Sequence, residues 1–244
     1  MKKARYHVLD AVRGIAIVGM LIYHYFYDLT YFFHQNSRWI FTPSAELFQT
    51  VVAFLFILIS GMLAHVSKNN GLRGLQLLTC GLVVNAVSYF YLPQSRIVFG
   101  ILTFLGTASL AIYFFQRFLV LVEPRVGALC SFLLYVLTYT LPQGKIMVGN
   151  WLLVVLPEAL YQYYWLAPFG FPSVGFVSAD YFPLLPWFFI YLLGFYVWLS
   201  FSETFKNTHL TYRIPLLSCV GRQSLVIYFL HQPVILFVLM LWYK

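Results

Sequence analysis

Charged residues are scarce in this sequence. Only 9% of its 244 residues are charged, whereas 61% are hydrophobic, and a soluble globular domain has about 25% charged residues. No long polar segment interrupts the apolar ones, which leaves no room for a separate soluble catalytic module. The composition therefore predicts a single integral membrane domain over residues 1–244, with any active site within or between its membrane helices or in the loops that cap them.

Cysteine is also rare, and its spacing excludes two kinds of site. Cys80, Cys130 and Cys219 are far apart, and no Cys-x-x-Cys motif is present. This odd, scattered set predicts neither a disulfide framework nor a metal site. The net charge of +8 does not indicate a nucleic-acid partner, because the Lys and Arg residues are scattered between apolar segments instead of forming one patch.

Apolar segments of membrane-spanning length recur along the whole chain. A bilayer core is about 30 Å thick, so a helix needs about 20 residues to cross it. We therefore expect an all-α, polytopic membrane helix bundle of about seven transmembrane spans. The predicted spans are residues 9–27, 47–66, 75–92, 97–118, 126–141, 182–201 and 216–242.

The basic residues of the connecting loops are concentrated on one side of these spans. Because cytoplasmic loops of membrane proteins carry an excess of Lys and Arg, this bias predicts a cytoplasmic N-terminus. The loops assigned to the cytoplasm contain Lys2, Lys3, Arg5, Lys68, Arg73, Arg117, Arg125, Lys206, Arg213 and Arg222, and those assigned to the outside contain Arg38, Arg96, Lys145 and Lys244.

Residues 149–165 form the most ambiguous apolar segment. It is rich in Tyr and Trp but contains Pro157 and Glu158, and an eighth span here would reverse the charge bias of the loop that follows. We therefore predict a re-entrant or interfacial helix on the outer face, within a long loop of residues 142–181. Such a loop could cover an outward-facing site.

Three ionisable residues near the outer end of the first span are the predicted catalytic residues. His24 and Asp28 are four residues apart and share a helix face, where a carboxylate can orient an imidazole. His34 follows in a polar loop, from which it can reach a substrate proton. The alternatives are an interfacial His–Asp pair solvated by lipid headgroups and an ordinary surface histidine.

A second group of residues is predicted at the cytoplasmic ends of the spans. Arg13, Arg73 and Arg222, with Asp10, could bind the phosphates of a nucleotide-bearing cofactor, since Arg binds phosphate bidentately. The alternative is snorkelling Arg side chains and a structural Asp10–Arg13 pair. His231, about 14 Å deeper than Arg222 in the same apolar segment, is either a pore-lining hydrogen-bond donor or a packing residue.

One carboxylate is predicted on the outer face before the sixth span. Asp180 precedes Pro183 and Pro186, where it is placed to bind a polar acceptor or to cap a helix.

These motifs, in this order, resemble the bacterial branch of the heparan-alpha-glucosaminide N-acetyltransferase-like family, within the wider transmembrane acyltransferase group. The resemblance runs almost from end to end. It is carried by Arg5, Leu9-Asp10, Arg13-Gly14, Met20, Tyr23-His24, His34, Trp39, residues 56–61, Arg96-Ile97, residues 99–102, Leu105-Gly106, residues 178–187, Gly221-Arg222, Ser224-Leu225, Tyr228 and His231-Gln232-Pro233.

The resemblance implies transfer of an acetyl group from cytosolic acetyl-CoA across the membrane to an extracytoplasmic acceptor, a hydroxyl or amine of a glycan or amino sugar. The family's catalytic histidine, in a His-x-x-Trp setting, best matches His34, although two more residues separate it here from Trp39. Where lysosomal members carry an essential Asn in the first span, this chain has His24, which could share the role. Trp39 and Asp180 are the implied acceptor-binding residues.

The predicted mechanism joins both membrane faces. The nucleotide of acetyl-CoA would bind the cytoplasmic Arg residues and its pantetheine arm would pass through the bundle to His24 and His34, one of which deprotonates the acceptor. The enzyme would be a multi-pass protein of the plasma or inner membrane, with a homodimer left open. A small proton-coupled transporter or flippase, or a non-catalytic membrane subunit of an envelope-modifying complex, are the alternative functions.

Overall fold

The computed structural model describes residues 6–35, 37–67, 69–207 and 214–243. Part of the predicted charge bias rests on residues outside this description: Lys2, Lys3, Arg5, Lys68, Arg213, Lys244 and the side chain of Lys206.

The protein is an all-α, multi-pass membrane protein, as predicted. It is 74% helical and contains seven helices that are long and apolar enough to cross a membrane, counted over the described residues. The helices are α1 (His7–Tyr31), α2 (Pro43–Met62), α3 (Asn70–Tyr91), α4 (Ile101–Leu119), α5 (Pro124–Thr138), α6 (Leu184–Asn207), α7 (Pro215–Arg222) and α8 (Ser224–Trp242). The last predicted span therefore divides at Gln223, and only α8 has spanning length.

Side chains just before two helices fix where those helices begin. The side chain of Asn69 accepts a hydrogen bond from the backbone N–H of Leu72 at the start of α3, and Glu123 accepts one from Val126 at the start of α5. These caps satisfy backbone donors that have no partner within the helix.

The chain forms two compact units, of which the first contains residues 1–59 and 202–244. In this unit α7 lies directly against the first half of α1. The hydroxyl of Ser218 donates to the carbonyl oxygen of His7 at 2.9 Å. A Cβ at Gly221 would overlap the backbone carbonyl of Asp10, and one at Gly14 would overlap that of Leu217. Glycine at both positions lets the two backbones touch.

Helix α8 then runs alongside the second half of α1, in the same direction. Its Gln232 reaches Asp28, and Tyr243 at its end lies 6.0 Å from Phe33, measured between ring centroids. Helices α1 and α8 thus form a parallel pair along the second half of α1.

The second unit, residues 60–201, is built around an antiparallel pair of helices. On α3, Gly81 faces Thr103 of α4, and Leu78 faces Gly106. The last turn of α2 approaches α6 at Gly61, whose Cβ would overlap the carbonyl of Tyr191. Small residues at these contacts allow the close packing that is common between membrane helices.

The structure differs from the sequence prediction in the long outer loop. Instead of a re-entrant or interfacial helix it contains an antiparallel hairpin of β1 (Lys145–Val148) and β2 (Trp151–Val155), followed by the 3-10 helices Glu158–Tyr161 and Tyr164–Phe169. A two-residue turn with Gly149 at a φ of 59° joins the strands. The Val-rich and Trp-containing strands around a Gly-Asn turn favour a hairpin, which a search for helical hydropathy does not detect.

Candidate functional site

Two histidines from the first and last membrane helices meet within the first unit. The ring centroids of His24 on α1 and His231 on α8 are 4.7 Å apart, with 58° between the ring planes. His231 is buried and also contacts the ring of Tyr228 at 5.1 Å. His24 is partly buried and contacts Tyr23. The sequence prediction had placed His231 with the cofactor and His24 with the catalytic residues, and the structure brings them together.

The hydrogen bond of His231 fixes its tautomer. Its Nδ1 lies against the backbone carbonyl oxygen of Tyr228. A carbonyl oxygen can only accept, so Nδ1 carries a proton, and Nε2 of the neutral ring is then an acceptor. This Nε2 is buried and has no hydrogen-bond partner among the described residues.

Asp28 lies one turn beyond His24 on α1 and is fully buried. The sequence predicted that its carboxylate orients His24. In the structure, Oδ1 instead accepts a hydrogen bond from Nε2 of Gln232 at 2.7 Å, because α8 presents an amide donor at this depth. Oδ2 has no partner within the described part of the chain.

The pair of helices therefore holds two buried acceptor atoms without partners, Oδ2 of Asp28 and Nε2 of His231. Asp28 lies on α1 and binds Gln232, the neighbour of His231 in the sequence of α8. Leaving a buried polar atom unpaired costs about 1–3 kcal/mol. Each of the two atoms can accept a hydrogen bond from a bound group.

His34, the other predicted catalytic histidine, has different surroundings. It lies in the loop after α1 at a φ of 53°, and its side chain is exposed. Within the described residues it has neither a ring contact nor a hydrogen bond from its side chain. Its position is held by the backbone, since the N–H of Gln35 donates to the carbonyl of Leu29 at 3.0 Å.

Trp39 lies near the outer end of the same helix. It belongs to the 3-10 helix Arg38–Phe41, and its ring contacts Phe26 at 5.3 Å and Tyr23 at 6.4 Å. Because Tyr23 in turn contacts His24 at 5.9 Å, the aromatic cluster connects Trp39 to the histidine pair.

The predicted cofactor-binding residues lie at the helix ends. Nε of Arg13 donates to the backbone carbonyl oxygen of Gly221 at 2.7 Å, which ties this side chain to the contact between α1 and α7. Asp10 is buried in that contact. Arg222 is exposed at the end of α7, and Arg73 is partly buried in the first turn of α3, in the second unit.

Asp180 caps a helix, but not the one that follows it in sequence. Its Oδ2 accepts from the N–H of Ile101 at 2.9 Å, at the start of α4. Ser178 supports the same junction, because its hydroxyl oxygen accepts from the N–H of Val98 at 2.9 Å. Of the two roles the sequence left open for Asp180, the structure shows the cap.

The sequence analysis gave no role in the site to the amide of Gln232 or to the backbone carbonyl of Tyr228. Both lie beside residues that had been singled out, but a search for ionisable side chains passes over a neutral amide and a backbone group. No group of three or more His, Cys, Asp or Glu residues that could hold a metal ion occurs in the described ranges.

Comparison with known proteins gives one match. A sequence profile described as "Heparan-alpha-glucosaminide N-acetyltransferase, catalytic" matches residues 5–233. No curated protein and no solved structure matches the chain. The matched region includes His24, Asp28, His231 and Gln232, and ends at Pro233.

Proposed function

Because this chain belongs to the heparan-alpha-glucosaminide N-acetyltransferase catalytic family, a family of membrane acetyltransferases, we propose that it transfers an acetyl group from cytosolic acetyl-CoA to an amine on the outer side of the membrane, with His24 as the general base. The single observation that carries this proposal is the contact between His24 and buried His231, one helical turn from the buried carboxylate of Asp28 on α1.

The surroundings of His24 support its role as the base. A general base must lie close to the proton that it removes. His24 lies against the ring of His231, whose Nε2 has no partner among the described residues, and one turn from Asp28 on α1. His34, exposed in its loop, lacks such a setting. It stays the second candidate, because the family resemblance points to it.

The unpaired atoms favour an amine over a hydroxyl as the acceptor group. Oδ2 of an ionised Asp28 and Nε2 of a neutral His231 both accept hydrogen bonds. A primary amine can donate one N–H to Oδ2 of Asp28 or Nε2 of His231, keep the second N–H for removal by His24, and attack with its lone pair, whereas a hydroxyl has only one proton. An amino sugar satisfies this requirement, and the aromatic surface around Trp39 suits a carbohydrate ring.

The reaction then needs one acyl transfer and two proton transfers. The amine nitrogen attacks the thioester carbonyl carbon, a C–N bond forms and the C–S bond breaks. The proton lost by the nitrogen passes to His24, and CoA leaves with the electron pair of the broken bond and takes up a proton as its thiol. The ring of His231 lies next to His24 throughout, and Gln232 holds Asp28 in place.

The cytoplasmic ends are proposed to bind the donor. Arg222 is exposed at the end of α7 and can meet a phosphate without breaking a described contact. Arg13, whose Nε donates to the carbonyl of Gly221, is proposed for the same task. For Arg73, in the second unit, donor binding stays a prediction from the sequence. Asp180 caps the start of α4, and its binding of the acceptor stays a prediction.

The test uses purified full-length protein in nanodiscs with radiolabelled acetyl-CoA and glucosamine as the probe acceptor. We expect acetyl transfer, and His24→Ala should reduce it by about 10²–10⁴-fold, the usual contribution of a general base. His7→Ala, a histidine at the other end of the same helix, is the matched control and should retain activity. Protein-bound label that His24→Ala removes would reveal an acetyl-histidine intermediate.

Two results would count against the proposal. If His34→Ala abolishes transfer and His24→Ala does not, the base is His34. If acetyl-CoA at millimolar concentration neither raises the unfolding temperature nor loses its acetyl group, the donor is wrong and a transporter becomes the better reading, to be assayed in sealed vesicles with a proton gradient.

A further inference from the structure

The hairpin formed by β1 and β2 exposes apolar side chains on both of its faces. All five residues of β2 are exposed, from 49% for Val154 to 79% for Trp151. Successive side chains of a strand point to opposite faces, so neither face of β2 is covered by the second unit, to which the hairpin belongs. Residues 146–156 also contain no charged side chain.

The hairpin is fixed to the end of a membrane span. The hydroxyl of Thr140, just beyond α5, donates to the carbonyl oxygen of Lys145 and accepts from the N–H of Met147, both at 2.9 Å. The N–H of Leu156 returns to the carbonyl of Gly144 at 2.9 Å. The outer end of α5 therefore sets the depth at which the hairpin lies.

The span that holds the hairpin also exposes an apolar surface. Leu129, Leu133 and Leu137 are four residues apart and exposed along α5, which is the arrangement of a helix face in contact with acyl chains. Beyond the hairpin, Tyr164 and Trp165 are exposed as well, and Tyr and Trp concentrate where acyl chains meet headgroups.

The backbone limits how deeply the hairpin can enter the bilayer. Two strands pair along one edge each and leave the N–H and C=O groups of their outer edges without sheet partners. Such groups are not tolerated in the hydrocarbon core, but water and headgroups can satisfy them at the interface. A location in the headgroup region, with side chains reaching about 5–10 Å toward the acyl chains, satisfies both requirements.

We propose that the hairpin of residues 145–155 is a membrane-surface anchor that binds the outer leaflet of the lipid bilayer beside α5. Its partner is lipid, recognised by an uncharged apolar strand with aromatic residues at its margin. This inference does not depend on the acetyltransferase reaction.

The experiment places a fluorophore on the hairpin of the full-length protein. In a background of Cys80→Ser, Cys130→Ser and Cys219→Ser, Leu153→Cys is labelled with a polarity-sensitive dye, and the protein is reconstituted at one copy per phosphatidylcholine nanodisc. Gln94→Cys, at an exposed polar residue of another outer loop, is the matched control.

We expect the dye at position 153 to be blue-shifted and quenched most strongly by lipids that carry a nitroxide at the headgroup end of the acyl chain. A nitroxide near the terminal methyl should quench it less, since the anchor is shallow, and aqueous iodide should quench mainly the dye at position 94. Equal iodide quenching at both positions would overturn the proposal. So would a blue shift that appears only with two copies per nanodisc, because the hairpin would then bind a second chain.

A measurement on the unlabelled protein guards against a labelled variant that fails to fold. A photoreactive lipid with its diazirine near the headgroup should form adducts within residues 145–155, located by mass spectrometry. Adducts on the outer end of α5 without any on the hairpin would contradict the anchor.

Discussion

Buried polar side chains show how far the sequence can be interpreted residue by residue. Ionisable side chains are costly in apolar segments, and for this reason the sequence singled out His24, Asp28 and His231 as candidate functional residues. Their partners could not be identified, because the partner of Asp28 is 204 residues away and that of Asp180 is 79 residues away. The spacing of His24 and Asp28 suggested a pair, but spacing on one helix cannot reveal a competing donor on another.

Replacement of Gln232 tests the importance of the Asp28 contact. Gln232→Leu removes the only described donor to this carboxylate, and a buried acceptor left without its partner costs about 1–3 kcal/mol. We expect a lower unfolding temperature and reduced acetyl transfer. Gln223→Leu, the same substitution at an exposed position, is the control. An unchanged unfolding temperature and activity in Gln232→Leu would show that the contact has no role.

Two substitutions of Asp180 separate a cap from an acceptor-binding carboxylate. Asp180→Ala removes the acceptor for the N–H of Ile101 and should cost about 1 kcal/mol of stability, seen as a lower unfolding temperature. Asp180→Asn retains an oxygen that can accept from this N–H, so it should keep most of the stability that Asp180→Ala loses. Loss of affinity for the acceptor substrate in Asp180→Asn at full stability would favour the binding role.

His65 makes stability depend on pH. It follows α2 and stacks on Phe195 at 4.1 Å between centroids. Burial lowers the pKa of His65 from 6.5 to about 4, although a backbone hydrogen bond at Phe195 opposes the shift. The unfolded chain therefore binds more protons between these values, so the contribution of His65 is complete above about pH 6.5 and is lost as the pH falls toward 4.

The measurement is the unfolding temperature in detergent across this range. Wild-type protein should lose stability as the pH falls from 6.5 to 4, and His65→Gln should lose less of it. Parallel curves for the two proteins would mean that the pKa of His65 does not differ between the folded and unfolded states, and would contradict this prediction.

At the scale of helices, hydropathy was sufficient to predict that each membrane span exists. It did not predict where the last span divides or that the long loop contains a hairpin. Each of the seven spans was anticipated because an apolar run of about 20 residues has few alternatives in a membrane protein. The division of the last segment into α7 and α8 was missed, since both pieces are apolar. The hairpin was missed because short strands and interfacial helices share a composition.

The contact between α1 and α7 depends on glycine at two positions. Gly221→Ala places a methyl group on the backbone carbonyl of Asp10, which cannot move without displacing the helix. Overpacking of this kind costs about 1–3 kcal/mol, so a clear fall in unfolding temperature is expected. Gly71→Ala is the control, because its methyl group would meet only side-chain atoms, of Asn69 and Tyr113, at 3.2 Å or more. A larger effect at Gly71 would contradict this account of the contact.

For the molecule as a whole, composition was decisive for class, whereas the orientation stays a prediction from the charge bias. Seven spans with a cytoplasmic N-terminus require the C-terminal end of α8 to lie outside. Neither argument could reveal that the ends of the chain, residues 1–59 and 202–244, form one compact unit, since distant contacts leave no trace in local hydropathy.

Orientation can be measured with a pair of exposed apolar positions. In the cysteine-replaced background, Val174→Cys, 96% exposed in the outer loop, should react with an impermeant maleimide in intact cells. Leu121→Cys, 80% exposed between α4 and α5, should react only after the membrane is opened. The reverse pattern would invert the topology.

The parallel pairing of α1 with α8 also constrains the order of events during biosynthesis. The ribosome completes α1 long before α8, because their contacting residues Asp28 and Gln232 are 204 positions apart. The carboxyl group of Asp28 therefore lacks the amide of Gln232 until α8 has been made. A chain terminated before Gln232 cannot form this contact between α1 and α8.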